Sequence, residues 1–154
     1  MASRPSTPPG PGNPDPVRAV LDVNVLVSAL LSRSGAPARL LLAWQQGAFE
    51  LIVSPLLLAE LERALAYPKL RRTIHADEAA ELDAWLARSA TLAPDPEDPP
   101  AVRSIDPGDD YLIALAAAAQ AVLVSGDGHV LDLAADLPIY PPVTFLALVE
   151  DRSP

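Results

Sequence analysis

Short apolar runs rich in β-branched residues alternate with helix-like stretches from residue 17 to residue 149. That alternation restricts the chain to sheets whose neighbouring strands are joined through helices. Strand-like runs fall at residues 17–23, 49–53, 121–124 and 139–140, and helical leucine and alanine spacing fills 25–31, 37–46 and 144–149. Two junctions carry a cap followed by proline, Ser54–Pro55 and Asp106–Pro107, which open helices expected to reach about Tyr67 and Ala119. Residues 76–90 form an amphipathic pattern, Lys69 to Arg72 a basic corner, and 127–134 a short helix. Strands alternating with helices in this way predict a parallel sheet covered on both faces.

Two proline-rich segments punctuate the pattern. Residues 1–16 hold Pro5, Pro8, Pro9, Pro11, Pro14 and Pro16 among glycines and hydroxyl residues, too little apolar surface to offset ordering entropy. A disordered tail is expected there, followed by a single domain over 17–152. Pro94, Pro96, Pro99 and Pro100 interleave with Asp95, Glu97 and Asp98 as a surface loop. Met1 to Asp15 offers no apolar core for a signal peptide and the longest apolar stretch, 111–124, falls short of a membrane span, so a cytoplasmic protein is expected.

With 154 residues the chain can build one core without staples, and with no cysteine it can form no disulfide, thiolate zinc site or cysteine nucleophile. Twenty acidic residues against eleven basic ones give a net charge of -9. Bulk electrostatics therefore repel a polyanion, and any nucleic-acid substrate requires cations as intermediaries.

Ligands of an open parallel sheet gather at the carboxyl ends of its strands, where several acids of this chain lie. Asp22 ends the first strand, with Asn24 two residues on; a helix cap is the alternative role. Glu60 falls on the face of Leu57, Leu61 and Ala64, while Glu62 and Arg63 point outward, so its carboxylate calls for a cation or an arginine partner. At the third junction Asp106 reads as the cap and Asp109 as a first-turn acid. Asp110 leads the face of Ile113, Ala114 and Ala117 and is the strongest candidate of the three. Ser125 and Asp127 follow the strand at 121–124, where Asp127 has the second option of capping the next helix. Oxygen-only clusters select hard cations such as Mg2+ or Mn2+.

Four ordered motifs, LDVNVLVSALL (21–31), SPLLLAELERAL (54–65), DPGDDYLIALA (106–116) and LVSGDGHVLDL (123–133), with a closing PPVTFLALV (141–149), resemble the PIN-domain nucleases, in the branch of VapC-like toxins. The resemblance covers essentially everything after the tail. It implies a three-layer α/β/α sandwich with a central, mostly parallel sheet of about five strands. It further implies a metal-dependent endoribonuclease, the toxin of a toxin–antitoxin pair, often a homodimer and commonly bound by a small antitoxin. Asp22, Glu60, Asp110 and Asp127 match the family's four acids, and Asn24 and Ser125 stand where supporting polar residues occur. Asp109 is adjacent to the third position, leaving the register there open by one residue.

On that reading Asp22, Asp110 and Asp127 hold Mg2+ or Mn2+ and Glu60 binds through water or orients the nucleophile in cleaving single-stranded RNA. Arg33, Arg39, Arg71 and Arg72 are candidate phosphate contacts, with ordinary surface solubility as their other role. Neither His75 nor His129 is placed to act as a base. The rival is a catalytically degenerate interaction module of the same fold. A haloacid-dehalogenase-type phosphatase wants aspartate where Asn24 stands, and a response-regulator receiver wants a lysine after a late strand, but the chain's one lysine is Lys69.

Overall fold

The computed structural model describes residues 17–104 and 107–152. The expected disordered tail at 1–16 and the expected cap at Asp106 lie outside them. The element order is β1 (Arg18–Leu21), α1 (Val23–Leu31), α2 (Ala36–Gln45), β2 (Glu50–Val53), α3 (Pro55–Leu65), α4 (Pro68–Arg71), α5 (Ala76–Ser89) and β3 (Thr91–Leu92). A 3-10 turn at Pro107–Asp109 then leads into α6 (Asp110–Ala118), β4 (Val122–Val124), α7 (Gly128–Leu131), β5 (Ile139–Tyr140) and α8 (Pro142–Arg152).

The five strands form one sheet in the order β3-β2-β1-β4-β5, and every pairing is parallel. Ala19 sits opposite both Leu51 and Val122, which makes β1 the centre of the sheet. The chain runs from β1 outward through β2 to β3, then crosses back to β4 and continues to β5 on the other side. The strand order therefore reverses between β1 and β4, and a crevice is expected beyond their carboxyl ends.

Burial follows from that position. β1 and β2 read as near-continuous apolar runs because both faces of each are covered, leaving Ala19, Val20, Leu21, Leu51, Ile52 and Val53 at 0–1% exposure. Helices α1 and α2 meet at 100° and pack against each other, with α1 also on α3 and α2 on α8. Phe145 of α8 packs edge-on against Phe49, ring centroids 5.2 Å apart, and Trp44 of α2 stacks on Trp85 of α5 at 4.7 Å. Helix α6 lies against β1 and β4. Among the described residues no single helix is long and apolar enough to cross a membrane.

The differences from expectation are local. β3 is two residues long, too short for a period of two to register, and follows α5 directly. The basic corner is a one-turn helix, α4, because Pro68 occupies its first position. The closing helix α8 is longer at both ends than 144–149 and likewise starts on proline.

Two helices end alike with different residues. After α2, Gly47 takes φ +84° while its amide donates to Trp44 and that of Ala48 to Ala43. After α6, Gln120 takes φ +52° while its amide donates to Ala117 and that of Ala121 to Ala116. Both are Schellman ends, and the left-handed residue suits glycine. Gln120→Gly is therefore expected to raise the unfolding free energy by about 0.5–1 kcal/mol and Gly47→Ala to lower it by about 1 kcal/mol, read by denaturant titration.

Candidate active site

Asp22 stands where β1 ends and α1 begins. Its amide donates to the Val124 carbonyl at 2.9 Å, which ties the end of β1 to the end of β4. One carboxylate oxygen accepts the Ser125 hydroxyl at 2.7 Å and the other faces the Asn24 amide at 3.4 Å, the cap of α1. The residue is 4% exposed. Burial pushes its pKa up; the Ser125 hydroxyl and the Asn24 amide offset part of that rise, while the charge of Asp127 adds to it. Burial thus makes the charged form of Asp22 costly, and the Ser125 and Asn24 contacts offset part of that cost.

Ser125 is the hinge of this corner. It is fully buried, and its hydroxyl oxygen also accepts the Asp127 amide at 3.0 Å while donating to Asp22. Asp127 in turn caps α7, accepting the His129 amide at 2.8 Å. The capping roles foreseen for Asp22 and Asp127 are both present, and they place the two acids on either side of one serine.

A cleft of about 480 Å³ opens beside this corner. Asp22, Asn24, Glu60 and Asp109 line it together with Arg63, Tyr67, Leu70 and Tyr111. These acids come from the end of β1, the middle of α3 and the turn before α6, so the topology gathers what the sequence separates. Asp127 lines a neighbouring recess, with Gly126 and Pro142, and Asn24 belongs to both concavities.

Glu60 is half-buried on the rim and pairs with Arg63 three residues later at 3.0 Å. Arg63 is 76% exposed, so this pair contributes only a few tenths of a kcal/mol. The partner that the core-facing position calls for is therefore an exposed arginine from the same helix.

The two adjacent aspartates at the third junction divide. Asp109 lines the cleft. Asp110, the stronger candidate by sequence, is turned into a clip in which it accepts the Ser104 amide at 2.8 Å and Arg103 Nε at 2.6 Å. Burial alone would raise its pKa, but the Ser104 amide and the Arg103 guanidinium outweigh burial and hold it below the usual carboxylate value. Helical phase put Asp110 on the inner face correctly, for it is 7% exposed. What periodicity does not carry is a loop arginine seven residues upstream waiting for it.

Tyr111 joins the acids without having been singled out. Its hydroxyl is pushed above the ordinary phenol value by burial and by the charges of Asp22, Glu60, Asp109 and Asp95, so it stays a neutral donor. Asp95, from the proline loop, also accepts the Leu56 amide at 2.9 Å at the start of α3. The four arginines expected at phosphates lie elsewhere. Arg39 pairs with Glu150 at 2.9 Å, Arg33 lines a 600 Å³ groove with Glu78 and Glu81, Arg71 a recess with Glu62 and Asp83, and Arg72 is exposed. Arg63 is the basic residue on the cleft. His75 and His129 are exposed, and neither lines it.

The family model for the PIN domain matches residues 18–129. This chain belongs to the PIN domain family. Two solved structures share its fold. One is a PilT N-terminus domain protein, SSO1118, from the hyperthermophilic archaeon Sulfolobus solfataricus P2, at 17% identity and TM-score 0.51, covering 86% of this chain and 93% of that one. The other is PAE2754 from Pyrobaculum aerophilum, at 16% identity and TM-score 0.59, covering 88% of this chain and 90% of that one. No curated protein matches the chain.

PIN domains are typically nucleases that use divalent metal ions. The donor set of this PIN domain is right for such an ion, since Asp22, Glu60, Asp109 and Asn24 offer only oxygen at the polar wall of the cleft. Among the described residues no three carboxylates or histidines are drawn close enough to hold a metal as they stand. The raised pKa of Asp22 fits a carboxylate whose charge lacks a counter-ion.

The two aspartates of opposite shift have opposite linkage. The folded pKa of Asp110 lies below its unfolded value, so its clip contributes stability that is complete above about pH 4 and lost as the pH falls through the folded value. The folded pKa of Asp22 lies above its unfolded value, so its ionisation costs stability at neutral pH, a cost relieved on acidification. Within a cluster of like charges, neutralising one carboxylate relieves repulsion and raises the metal-free melting temperature. The clip reverses that sign. Asp110→Asn is expected to cost about 1–2 kcal/mol at pH 7 and to flatten the acid limb of the stability curve, whereas Asp22→Asn is expected to raise the metal-free melting temperature. Thermal melts of both variants between pH 3 and 7 check the two signs.

Proposed function

We propose that this PIN domain is a metal-dependent endoribonuclease that hydrolyses phosphodiester bonds in single-stranded RNA. The observation that carries the reading is the convergence of Asp22, Glu60 and Asp109, from three separate elements, on one cleft at the point where the strand order reverses.

Asp22 and Asp109 would hold Mg2+ or Mn2+, with Glu60 nearby and Asp127 reaching the same corner through Ser125. The ion, when bound, supplies activation of the attacking water and neutralisation of charge on the phosphate and the departing oxygen. The protein's own part is to orient and to hold. Ser125 fixes the rotamer of Asp22 by donating to one oxygen, which leaves the other turned toward Asn24. Arg103 and Ser104 grip Asp110 and thereby set the start of α6, from which Asp109 and Tyr111 reach the cleft. Tyr111 lines the cleft, and its neutral hydroxyl suits a phosphate oxygen as its acceptor. Arg63 neutralises Glu60 until a substrate phosphate competes for it.

The finer assignment is to the toxin of a toxin–antitoxin pair, acting in the cytoplasm as a homodimer bound by a small antitoxin. Its support is the motif resemblance together with exposed apolar side chains on two helices that pack on each other, Leu42 of α2 and Val143 and Leu148 of α8. Co-purification with a small protein partner tests it.

Cleavage of a fluorogenic single-stranded RNA, titrated with Mn2+ and Mg2+, tests the activity. Activity should require the metal and fall at least about a hundredfold in Asp22→Asn and in Asp109→Asn, the cost of removing a group that acts on the transition state. Asp110→Asn should lose less than Asp109→Asn. A wild-type protein that folds, binds the ion and cuts no RNA would leave the degenerate interaction module as the better reading.

A further inference from the structure

The seven aromatic side chains of the sequence all fall among the described residues, and six of them are buried or half-buried. Tyr67 is the exception, 67% exposed. An aromatic ring left in water on a protein with so few of them calls for a use, and this one stands on the lining of the acidic cleft, with Arg63, Asp22 and Glu60.

Its backbone is held in place from both sides. The Tyr67 amide donates to the Ala64 carbonyl at 3.2 Å, and its carbonyl accepts the Leu70 and Arg71 amides at 3.0 and 3.1 Å. Pro68 follows and confines Tyr67 to extended backbone, as its ψ of 130° shows. The ring is thus anchored at the junction of α3 and α4 with only its side-chain torsions to order, which lowers the entropic cost of a contact. Ala64 and Leu70 add apolar surface to the cleft lining that Tyr67 shares.

We propose that Tyr67 is a base-stacking residue that seats one unpaired nucleobase of a single-stranded RNA at the rim of the acidic cleft. The proposal rests on the nuclease reading above and names how that site takes its substrate. Stacking is suited to a protein of net charge -9, because it adds affinity that does not depend on an excess of positive charge. It also selects single strands, since a base already stacked in a duplex has no free face to offer. Arg63, one turn earlier on α3 and mostly exposed, is placed to meet the phosphate next to the seated base.

The experiment compares wild type with Tyr67→Ala, Tyr67→Phe and Tyr67→Trp on a single-stranded RNA with one cut site, and on copies of it carrying one abasic nucleotide at successive positions. Tyr67→Ala is expected to raise KM about tenfold, with the loss on KM rather than kcat, while the aromatic replacements keep the wild-type KM. One abasic position should raise the wild-type KM by a similar factor and have no further effect in Tyr67→Ala, because ring and base are then one interaction. An unchanged KM in Tyr67→Ala, or an abasic loss that simply adds to it, overturns the stacking role and leaves the nuclease reading intact. A wild type that neither binds nor cuts the RNA overturns both. Equal melting temperatures across the variants show that a shift in KM is not a loss of fold.

Discussion

The hydrogen bond from the buried Ser125 hydroxyl to the Asp22 carboxylate joins the ends of β1 and β4, the two strands between which the strand order reverses. Everything at the site is arranged around it. The same serine accepts the amide of Asp127, so one hydroxyl positions two acids, and the Asp22 amide closes the corner on Val124. Burial makes the Asp22 charge costly, and that costly charge stands on the lining of the cleft.

Around that corner the acids take different duties. Asp22 and Asp109 face the cleft, Glu60 rests against a surface arginine, and Asp110 is spent on holding Arg103 and the Ser104 amide. Two neighbouring aspartates thus differ in role: Asp109 lines the cleft, and Asp110 uses its charge to fix the start of the helix that follows it. The loop from Pro94 to Ser104 takes part in both, since Asp95 caps the approach to α3 while Arg103 and Ser104 secure α6.

Much of this was legible in the sequence because the signals were local. Ser54 before Pro55 is a cap with its side chain bonded to Leu57, and the apolar runs at β1 and β2 are the most buried strands. The acids at strand ends could be picked out because parallel sheets bind at their carboxyl edge. Less legible was anything decided across a loop. Asp110 was placed on the inner face by helical phase, but Arg103, from a segment without periodicity, decides what its carboxylate does. Tyr111 follows Asp110 directly and Tyr67 precedes a proline; no spacing rule distinguishes an aromatic at a cleft from one in the core. The arginines singled out by sequence were spread over other surfaces, whereas Arg63, read as outward-facing, is the basic residue at the cleft.

The direct test of the account is the binding of Mn2+ to the isolated protein, followed by the loss of the free-ion electron paramagnetic resonance signal. A saturable site that is weakened strongly in Asp22→Asn and in Asp109→Asn, and much less in Asp110→Asn, is the predicted result. Mn2+ that stays free at millimolar concentration, or that binds as well when Asp22 is neutral, would contradict the claim that this corner of the sheet is built around a divalent ion.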